Sequence, residues 1–341
     1  MGSTTDSALP FDDIRDLVSR MPAGDENAAA AARGRNGELL KPAGSLGRLE
    51  EIAEWLARWQ RRHPPRVDRP MVAVFAGNHG VAARGVSAWP SSVTASMMEA
   101  FRAGHAAINQ ICTANDLGLK LFDLALDYPT ADFTAGPALD EKSCAATIAF
   151  GMEAVAGGAD LLCVGEMGIA NTTSASALGA ALFGGSGADW AGPGAGLDPQ
   201  GVKLKAAVID EALALHATRL GDPLEALRCV GGRELAAIAG AIVAARFERC
   251  PVVVDGFVAS AAAAVLHRLD PRALDHCVFG HRSAEPAHGR LLEAMGKEPL
   301  LDLGMRLGEG TGAALAATLV RSAAALHAGM GTFADIGLAR G

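Results

Sequence analysis

From Met71 onward, short runs of apolar residues alternate with amphipathic stretches of helical length. Six apolar runs are candidate strands, namely MVAVFAG, LKLFDLAL, LLCVGEMG, PVVVDGF, HCVFGH and PLLDLGM. Near-continuous apolar runs separated by helices are typical of parallel strands that are buried on both faces of a sheet. The pattern therefore predicts an α/β fold with a doubly wound, mainly parallel sheet.

Both ends of the chain have a helical pattern. In SLGRLEEIAEWLARWQRRH (45–63), apolar residues repeat at helical spacing opposite charged ones, so this helix needs a packing partner. The stretch TGAALAATLVRSAAALHAGM (311–330) predicts a long Ala-rich helix with Thr311 as its N-cap. We expect the two to pack together. Residues 1–68 and about 312–341 would then form a small helical domain beside a large α/β domain of residues 69–311.

Composition narrows the class of ligand. Half of the 341 residues are apolar but only 5% are aromatic, so small aliphatic residues have to build the interior. A formal net charge of −8 and a single Tyr argue against nucleic acid as a partner. The uncharged stretch 168–188 contains polar residues that a membrane-spanning helix would not tolerate, and the acidic N-terminus lacks a targeting signal. We expect a cytoplasmic protein that binds small molecules and makes no membrane contact.

Cysteine and histidine spacing does not favour a metal site. The six cysteines lie far apart without a C-x-x-C pair, which predicts reduced, mostly buried thiols. In GHRSAEPAH (280–288), His281, Glu285 and His288 lack the H-E-x-x-H spacing, and Pro286 interrupts the helix that would align them. We expect histidines that form hydrogen bonds, and no bound metal.

Polar residues follow the predicted strands directly. In a doubly wound parallel sheet, ligands bind in the crevice beyond the carboxyl ends of the strands, so these residues mark the candidate site. They are Asn78, His79, Asp123, Asp127, Glu166, Asp255, His281, Ser283 and Glu309. We interpret His79 as a residue that fixes its loop.

Two carboxylates among these residues suggest chemistry. Glu309 lies between Gly308 and Gly310, which offer no side chains to shield it, and Glu166 ends a buried strand. A pair of carboxylates suits glycosidic cleavage, because its transition state resembles an oxocarbenium ion. A structural alternative stays open, in which Glu309 stabilises a helix start and residues 171–173 cap the next helix.

A glycine-rich run precedes a predicted helix at about 199–218. The run contains Gly192, Gly194 and Gly196, and the amino end of a helix favours phosphate. Lys205 lies one or two turns inside the helix, within reach of an anion. The spacing matches neither G-x-G-x-x-G nor a P-loop, so a structural loop and a solvated lysine stay open as alternatives.

Eight segments along the chain resemble one enzyme family. They are KPAGSLGRLE, FAGNHGV, GVSAWPSSVTASMM, GEMGIANTT, GPGAGLD, DGF, GHRSAEPAH and GMRLGEGTGAAL. With them the chain resembles the nicotinate-nucleotide–dimethylbenzimidazole phosphoribosyltransferases, which make the lower-ligand nucleotide of cobalamin. The resemblance implies a Rossmann-like large domain, a small helical domain and a homodimer, with neither a metal nor a cofactor.

The resemblance also implies a reaction and roles for residues. The 5-phosphoribosyl group of nicotinate mononucleotide passes to 5,6-dimethylbenzimidazole with inversion, giving α-ribazole 5′-phosphate and nicotinate. Glu309 matches the general base and Glu166 the second carboxylate; we expect burial to raise the pKa of Glu309. The positions that match phosphate and ribose contacts are Lys205, Gly168, Asn171, Thr172 and Gly194. Those that match the acceptor pocket are Trp89, Met97, Ser283, Met305 and Leu307.

The chain departs from the family pattern at two places. The family usually has Asp where this chain has Asn78, so a charge at the mouth of the site is missing. The region 127–140 is shorter than in many relatives and lacks their Arg- and Gly-containing loop. Two alternatives stay open. Asn78 keeps open a paralogue that binds azoles or phenols, or acts as a partner subunit, with weak or different transfer, although the presence of both Glu309 and Glu166 argues against it. The missing G-x-G-x-x-G disfavours a nicotinamide-dependent oxidoreductase.

Overall fold

The structure, a computed structural model, describes residues 10–338. Within them, six parallel strands form one sheet in the order β2-β1-β3-β4-β5-β6. The strands are β1 Pro70–Ala76, β2 Gly118–Asp123, β3 Leu161–Met167, β4 Val252–Val254, β5 Cys277–His281 and β6 Pro299–Leu301. All six predicted strands and their parallel arrangement are confirmed.

Fourteen α-helices accompany the sheet in the described part of the chain. They are α1 Pro10–Ser19, α2 Glu26–Glu38, α3 Arg48–Gln60, α4 Ser92–Arg102, α5 Ala107–Ala114, α6 Glu141–Gly151, α7 Asn171–Phe183, α8 Gly187–Trp190, α9 Pro199–His216, α10 Pro223–Val230, α11 Arg233–Phe247, α12 Phe257–Leu269, α13 Pro286–Ala294 and α14 Thr311–Gly329. Helices α3, α4, α5 and α14 pack on one face of the sheet. Helices α1, α6, α7 and α9–α13 belong to the core on the other face, so the doubly wound fold is confirmed.

Alternate residues of the buried strands serve the two cores. In β1, Ala73 and Phe75 belong to the core with α7 and α11, whereas Val72 and Val74 belong to the core with α14. Both sets are fully buried, which explains why the strand reads as a continuous apolar run. Small side chains fill the helices as expected: α12 buries a run of alanines at 261–264.

The strand order places a crevice beside β1. The chain leaves β1 for β2 on one side and later returns to β3 on the other, so the loops after β1 and β3 diverge. A point of this kind is where ligands bind in open α/β sheets. The register pairs Phe75 with Glu166 and Val254 with Phe279, so the strands end close together at the same edge.

Helices from both ends of the chain contact each other. Helix α14 packs on α3 and on the sheet. The Arg35 guanidinium of α2 donates to the carbonyl oxygens of His327, Ala328 and Met330 at 2.7–3.0 Å, which satisfies the carboxyl end of α14. Helix α1, by contrast, contacts α6 and α12 on the opposite face. The division into two domains, at residues 68/69 and 311/312, stays a prediction.

The cap predicted for α14 is wrong. Gly310, not Thr311, occupies the N-cap position, with φ of 78°, and it has no side chain to cap the helix. Thr311 is the first helical residue, and its hydroxyl donates to the Gly308 carbonyl oxygen at 2.7 Å. A carboxylate from elsewhere in the chain takes the place of the local cap, as described below.

Two further findings concern the cysteines and the possibility of a membrane-spanning helix. The six cysteines are free and buried, as predicted. Among the described residues, no helix is both long enough and apolar enough to cross a bilayer.

Candidate active site

A cavity of about 760 Å³ lies beyond the carboxyl ends of β3, β4 and β5. Its size is typical of a site for small molecules. Ten of the thirteen residues singled out through the resemblance line it: Trp89, Met97, Glu166, Gly168, Asn171, Thr172, Gly194, Ser283, Leu307 and Glu309. Lys205, Met305 and Asn78 are not among the lining residues. The cavity thus brings together positions more than 200 residues apart.

Glu309 reaches the cavity from an unusual backbone turn. Gly308, Glu309 and Gly310 all have left-handed conformations, with φ values of 83°, 61° and 78°. A non-glycine residue there is uncommon and has to be held by its surroundings. The Glu309 amide donates to the Glu166 carbonyl oxygen at 3.1 Å, which ties the turn to the end of β3.

Two glycines allow this turn to lie against β3. A Cβ atom at Gly165 would lie 2.2 Å from the Gly310 nitrogen, and one at Gly308 would lie 2.5 Å from Glu166 Oε1. Side chains at these positions would therefore push the two carboxylates apart. The glycines that flank Glu309 therefore allow its turn to lie close to β3, in addition to leaving its side chain open to the cavity.

The Glu309 side chain is buried at the cavity. It is 4% exposed, and its Oε2 atom has no hydrogen-bond partner among the described residues. Burial, helped by the nearby charge of Asp255, raises its pKa to about 7. The expected increase in pKa is confirmed, which makes Glu309 a base suited to neutral pH.

Glu166 lies at the end of β3 with its carboxyl group in the same cavity. Burial raises its pKa to about 8, with the charges of Asp255, Glu234 and Glu309 adding to the shift. The side-chain amide of Asn171 donates to Glu166 Oε2, and this hydrogen bond opposes the rise in the pKa of Glu166. Asn171 therefore begins α7 as a helical residue that binds a carboxylate. The capping role left open for 171–173 is wrong, because Ala170 occupies the N-cap position.

Asp255 joins the site, although sequence reasoning assigned it no role beyond its place at a strand end. Its carboxylate accepts from the amides of Gly310 at 3.1 Å and Ala313 at 2.9 Å, and so caps α14. His281 Nε2 lies 3.6 Å from Asp255 Oδ1. The only sequence signal for this arrangement is the acidic residue after the fourth strand.

The glycine-rich loop and the amino end of α7 form one side of the cavity. Lys205 is fully buried, and its Nζ donates to Thr172 Oγ1 at 2.7 Å and to the Gly192 carbonyl oxygen at 3.2 Å. Burial lowers its pKa to about 8. The solvated-lysine alternative is therefore wrong: Lys205 braces the walls of the cavity from behind.

Sequence reasoning missed a second cation at this side. The guanidinium of Arg306 lines the cavity and donates to the Gly194 carbonyl oxygen at 2.9 Å. Arg306 lies between Met305 and Leu307 in a segment that the resemblance already marked, and this was the signal that could have found it. Together with the amino end of α7, which has no side-chain cap, the guanidinium supplies positive charge for an anion.

Part of the cavity wall is apolar. Trp89, Met97 and Leu307 line it, and Trp89 Nε1 donates to the Ala195 carbonyl oxygen at 3.2 Å. Trp89 is 55% exposed and Leu307 57% exposed, so apolar area is free for a flat ring. Met305 lies outside the lining, and its carbonyl oxygen accepts from the Ala284 amide at 2.9 Å.

Asn78 and His79 lie behind the cavity wall. Asn78 is buried, and its side-chain amide donates to the Leu126 carbonyl oxygen at 3.0 Å. His79 connects Glu234 at 2.6 Å and Ser174 at 3.0 Å through its two ring nitrogens. The position at which the family has Asp therefore does not border the cavity in this structure.

Of the two histidines expected to form hydrogen bonds here, His288 does so, whereas neither ring nitrogen of His281 has a hydrogen-bond partner among the described residues. His288 accepts from the Ser283 amide at 2.8 Å and lies 3.0 Å from the Ser260 hydroxyl. Over residues 10–338, no group of three or more His, Cys, Asp or Glu side chains is arranged to hold a metal ion.

Comparisons with known proteins identify the family to which the chain is similar. A family model described as "Phosphoribosyltransferase" matches residues 21–338. The nicotinate-nucleotide–dimethylbenzimidazole phosphoribosyltransferase of Brucella canis is 63% identical over 332 residues, covering 97% of this chain and 98% of the relative. The protein of the same name from Brucella anthropi is 62% identical over the same shares.

A solved structure extends the match to three dimensions. The crystal structure of nicotinate-nucleotide–dimethylbenzimidazole phosphoribosyltransferase from Thermus thermophilus has a TM-score of 0.86 and 40% sequence identity, covering 93% of this chain and 100% of the other. The comparisons favour the phosphoribosyltransferase interpretation over the oxidoreductase alternative. The chain belongs to the nicotinate-nucleotide–dimethylbenzimidazole phosphoribosyltransferase family.

Proposed function

We propose that this protein transfers the 5-phosphoribosyl group of nicotinate mononucleotide to 5,6-dimethylbenzimidazole, releasing nicotinate and forming α-ribazole 5′-phosphate. The observation that carries the proposal is the Glu309 carboxyl group, buried in a cavity of about 760 Å³ with one oxygen unpaired and a pKa of about 7. An azole acceptor needs such a base, because its ring N–H proton has to leave as the ring becomes substituted.

Glu309 accepts the acceptor's N–H proton while the other ring nitrogen forms a bond to the anomeric carbon of ribose. The bond from that carbon to nicotinate breaks, and its electron pair returns to the pyridinium nitrogen. Nicotinate therefore leaves with a neutral ring nitrogen and needs no acid to protonate it. Attack on the face opposite the leaving group inverts the anomeric carbon.

In its ionised form, which its pKa of about 8 favours at higher pH, Glu166 stabilises the positive charge that develops on ribose. Its Oε1 atom lies beside Gly308, next to the turn that carries Glu309. The bond from Asn171 fixes the orientation of the carboxyl group. Preorganised negative charge at an oxocarbenium-like centre lowers the barrier, because the charge interacts more strongly with the transition state than with the ground state.

The substrate phosphate binds between α7 and the glycine-rich loop. The amino end of α7, which has no side-chain cap, and the Arg306 guanidinium supply positive charge. Lys205 holds Thr172 and the Gly192 carbonyl in place, so the two walls keep their spacing. The aromatic acceptor occupies the apolar side near Trp89, Met97 and Leu307, with Ser283 at the end of the cavity.

The test is Glu309→Gln, which keeps the shape of the side chain and removes the base. We expect nicotinate release to fall by about 10²–10⁴-fold, with the thermal unfolding transition retained. The exposed Glu293→Gln on α13 is the matched control and should keep full activity. Near-normal turnover by the Glu309 variant would contradict the proposal, as would a product other than the ribosyl-azole phosphate.

The resemblance also supports a homodimer in the cytoplasm, and we propose both for this chain. Sedimentation equilibrium tests the oligomeric state. A monomer that turns over at its full rate would contradict the dimer.

A further inference from the structure

Asp255 is buried against the turn that carries Glu309, outside the lining of the cavity, and takes no part in the proton transfer proposed above. It follows β4 directly and is fully buried. Its two carboxylate oxygens are both engaged: Oδ2 accepts from the Gly310 amide at 3.1 Å and Oδ1 from the Ala313 amide at 2.9 Å. Both amides come from the first turn of α14, directly after Glu309.

These bonds hold a segment that cannot hold itself. Gly310 has no side chain to cap α14, and the three residues 308–310 all have left-handed backbones. Unpaired amides at a helix start need a partner, and a non-glycine residue at positive φ needs fixed surroundings. Asp255 meets both needs from a strand end 54 residues earlier in the chain.

We propose that Asp255 is a positioning residue for Glu309: it locks the 308–310 turn that directs the Glu309 carboxylate into the cavity, and its fixed negative charge strengthens Glu309 as a base. This inference rests on the proposed function of Glu309.

The charged and titratable groups around Glu309 support an electrostatic part of this role. Glu166 faces it from β3, Asp255 from β4 and His281 from β5, while Arg306 lies on its own segment. Of the three carboxyl groups, Asp255 alone has backbone amide donors on both oxygens, which favour its ionised form. Its charge contributes to the raised pKa of both Glu309 and Glu166.

His281 offsets part of the cost of burying Asp255. Neither ring nitrogen of this buried histidine has a hydrogen-bond partner among the described residues, and Nε2 lies 3.6 Å from Asp255 Oδ1. Burial raises the pKa of Asp255, whereas His281 and the backbone amides oppose that shift. The two backbone amides and His281 thus favour the ionised form of Asp255 against the cost of its burial.

Asp255→Asn tests the inference, because the amide keeps the shape and loses the charge. We expect kcat to fall at least about tenfold and the acid limb of the kcat/KM profile to move down by roughly one pH unit. Hydrogen exchange at residues 308–314 should also become faster. Asp25→Asn is the matched control, since Asp25 accepts two amides at 2.9 and 3.0 Å to cap α2, far from the cavity. It should leave both the pH limb and exchange at 308–314 unchanged.

The outcomes separate this inference from the proposed function. An unmoved acid limb and unchanged exchange at 308–314 in Asp255→Asn would overturn the positioning role. A purely structural role predicts lower stability at every pH with the limb in place, which would also overturn the inference. Should the Asn variant not fold, Asp255→Ser retains an accepting oxygen and serves the same comparison. Full turnover by Glu309→Gln, in contrast, would reject the proposed function itself.

Discussion

The rate of phosphoribosyl transfer should depend on pH through the ionisation of Glu309. Burial and the charge of Asp255 raise the pKa of this carboxyl group to about 7, and only its ionised form accepts a proton. A group with this pKa is roughly nine-tenths ionised at pH 8 and one-tenth at pH 6. We therefore expect the ionisation of Glu309 to lower kcat/KM about tenfold between pH 8 and pH 6, and the protonation of Glu166 to add to that fall.

An ordinary glutamate predicts a different profile. With the usual pKa of 4.5, the side chain would be roughly 97% ionised at pH 6, and the rate would change by only a few per cent over the same range. The tenfold fall therefore reports the burial of Glu309 in the cavity. A flat profile between pH 6 and pH 8 would refute the reasoning.

Initial rates of nicotinate release, followed by liquid chromatography at subsaturating substrate, provide the assay. The acceptor ring also titrates, so the series is repeated with an azole of different basicity; a limb that belongs to the enzyme stays in place. Glu166→Gln provides a second control. The pKa of Glu166 is about 8, so this variant should keep the limb near 7 and lose any inflection near 8.

Three further predictions concern the cavity wall and the stability of the fold. Trp89→Ala should raise KM for the acceptor roughly tenfold, because it removes apolar area from the proposed acceptor contact, and should change KM for nicotinate mononucleotide much less; equal changes in both constants would count against the acceptor assignment. Asn78→Asp should lower the free energy of unfolding in urea by about 1–3 kcal/mol, since a carboxylate cannot donate to the Leu126 carbonyl; unchanged stability would contradict this. Acid should lower the melting temperature between about pH 6.5 and 4. The Nε2 atoms of His63 and His327 lie 3.1 Å apart, and burial lowers the pKa of both, to about 4 for His327, so the folded state binds fewer protons than the unfolded chain in that window. His327→Gln should flatten this loss, and a melting temperature independent of pH in wild type would argue against it.

Much of the fold could be predicted because its strands carry a local signal. Both faces of strand β1 are buried, so residues such as Val72 and Val74 are apolar as well as their neighbours. The strand therefore appears in the sequence as a continuous run of apolar residues. The topological rule for parallel sheets then placed Glu166 and Glu309 together without knowledge of their distance. These conclusions needed only periodicity and strand order.

What escaped prediction depends on contacts between distant segments. Thr311 has the chemistry of an N-cap, but the helix is capped by Asp255, which no local preference can reveal. Asn171 likewise binds a carboxylate and does not cap its helix. Arg306 contacts Gly194 across 112 residues of sequence, so this contact with the glycine-rich loop is visible only in the folded chain.

The position of the acceptor ring tests the central claim most directly. A crystal structure of this protein with 5,6-dimethylbenzimidazole and nicotinate should place a ring nitrogen about 2.6–3.2 Å from a carboxylate oxygen of Glu309, with the ring against Trp89 and Leu307. An acceptor bound elsewhere in the cavity, with no nitrogen in reach of Glu309 directly or through one water, would contradict the account.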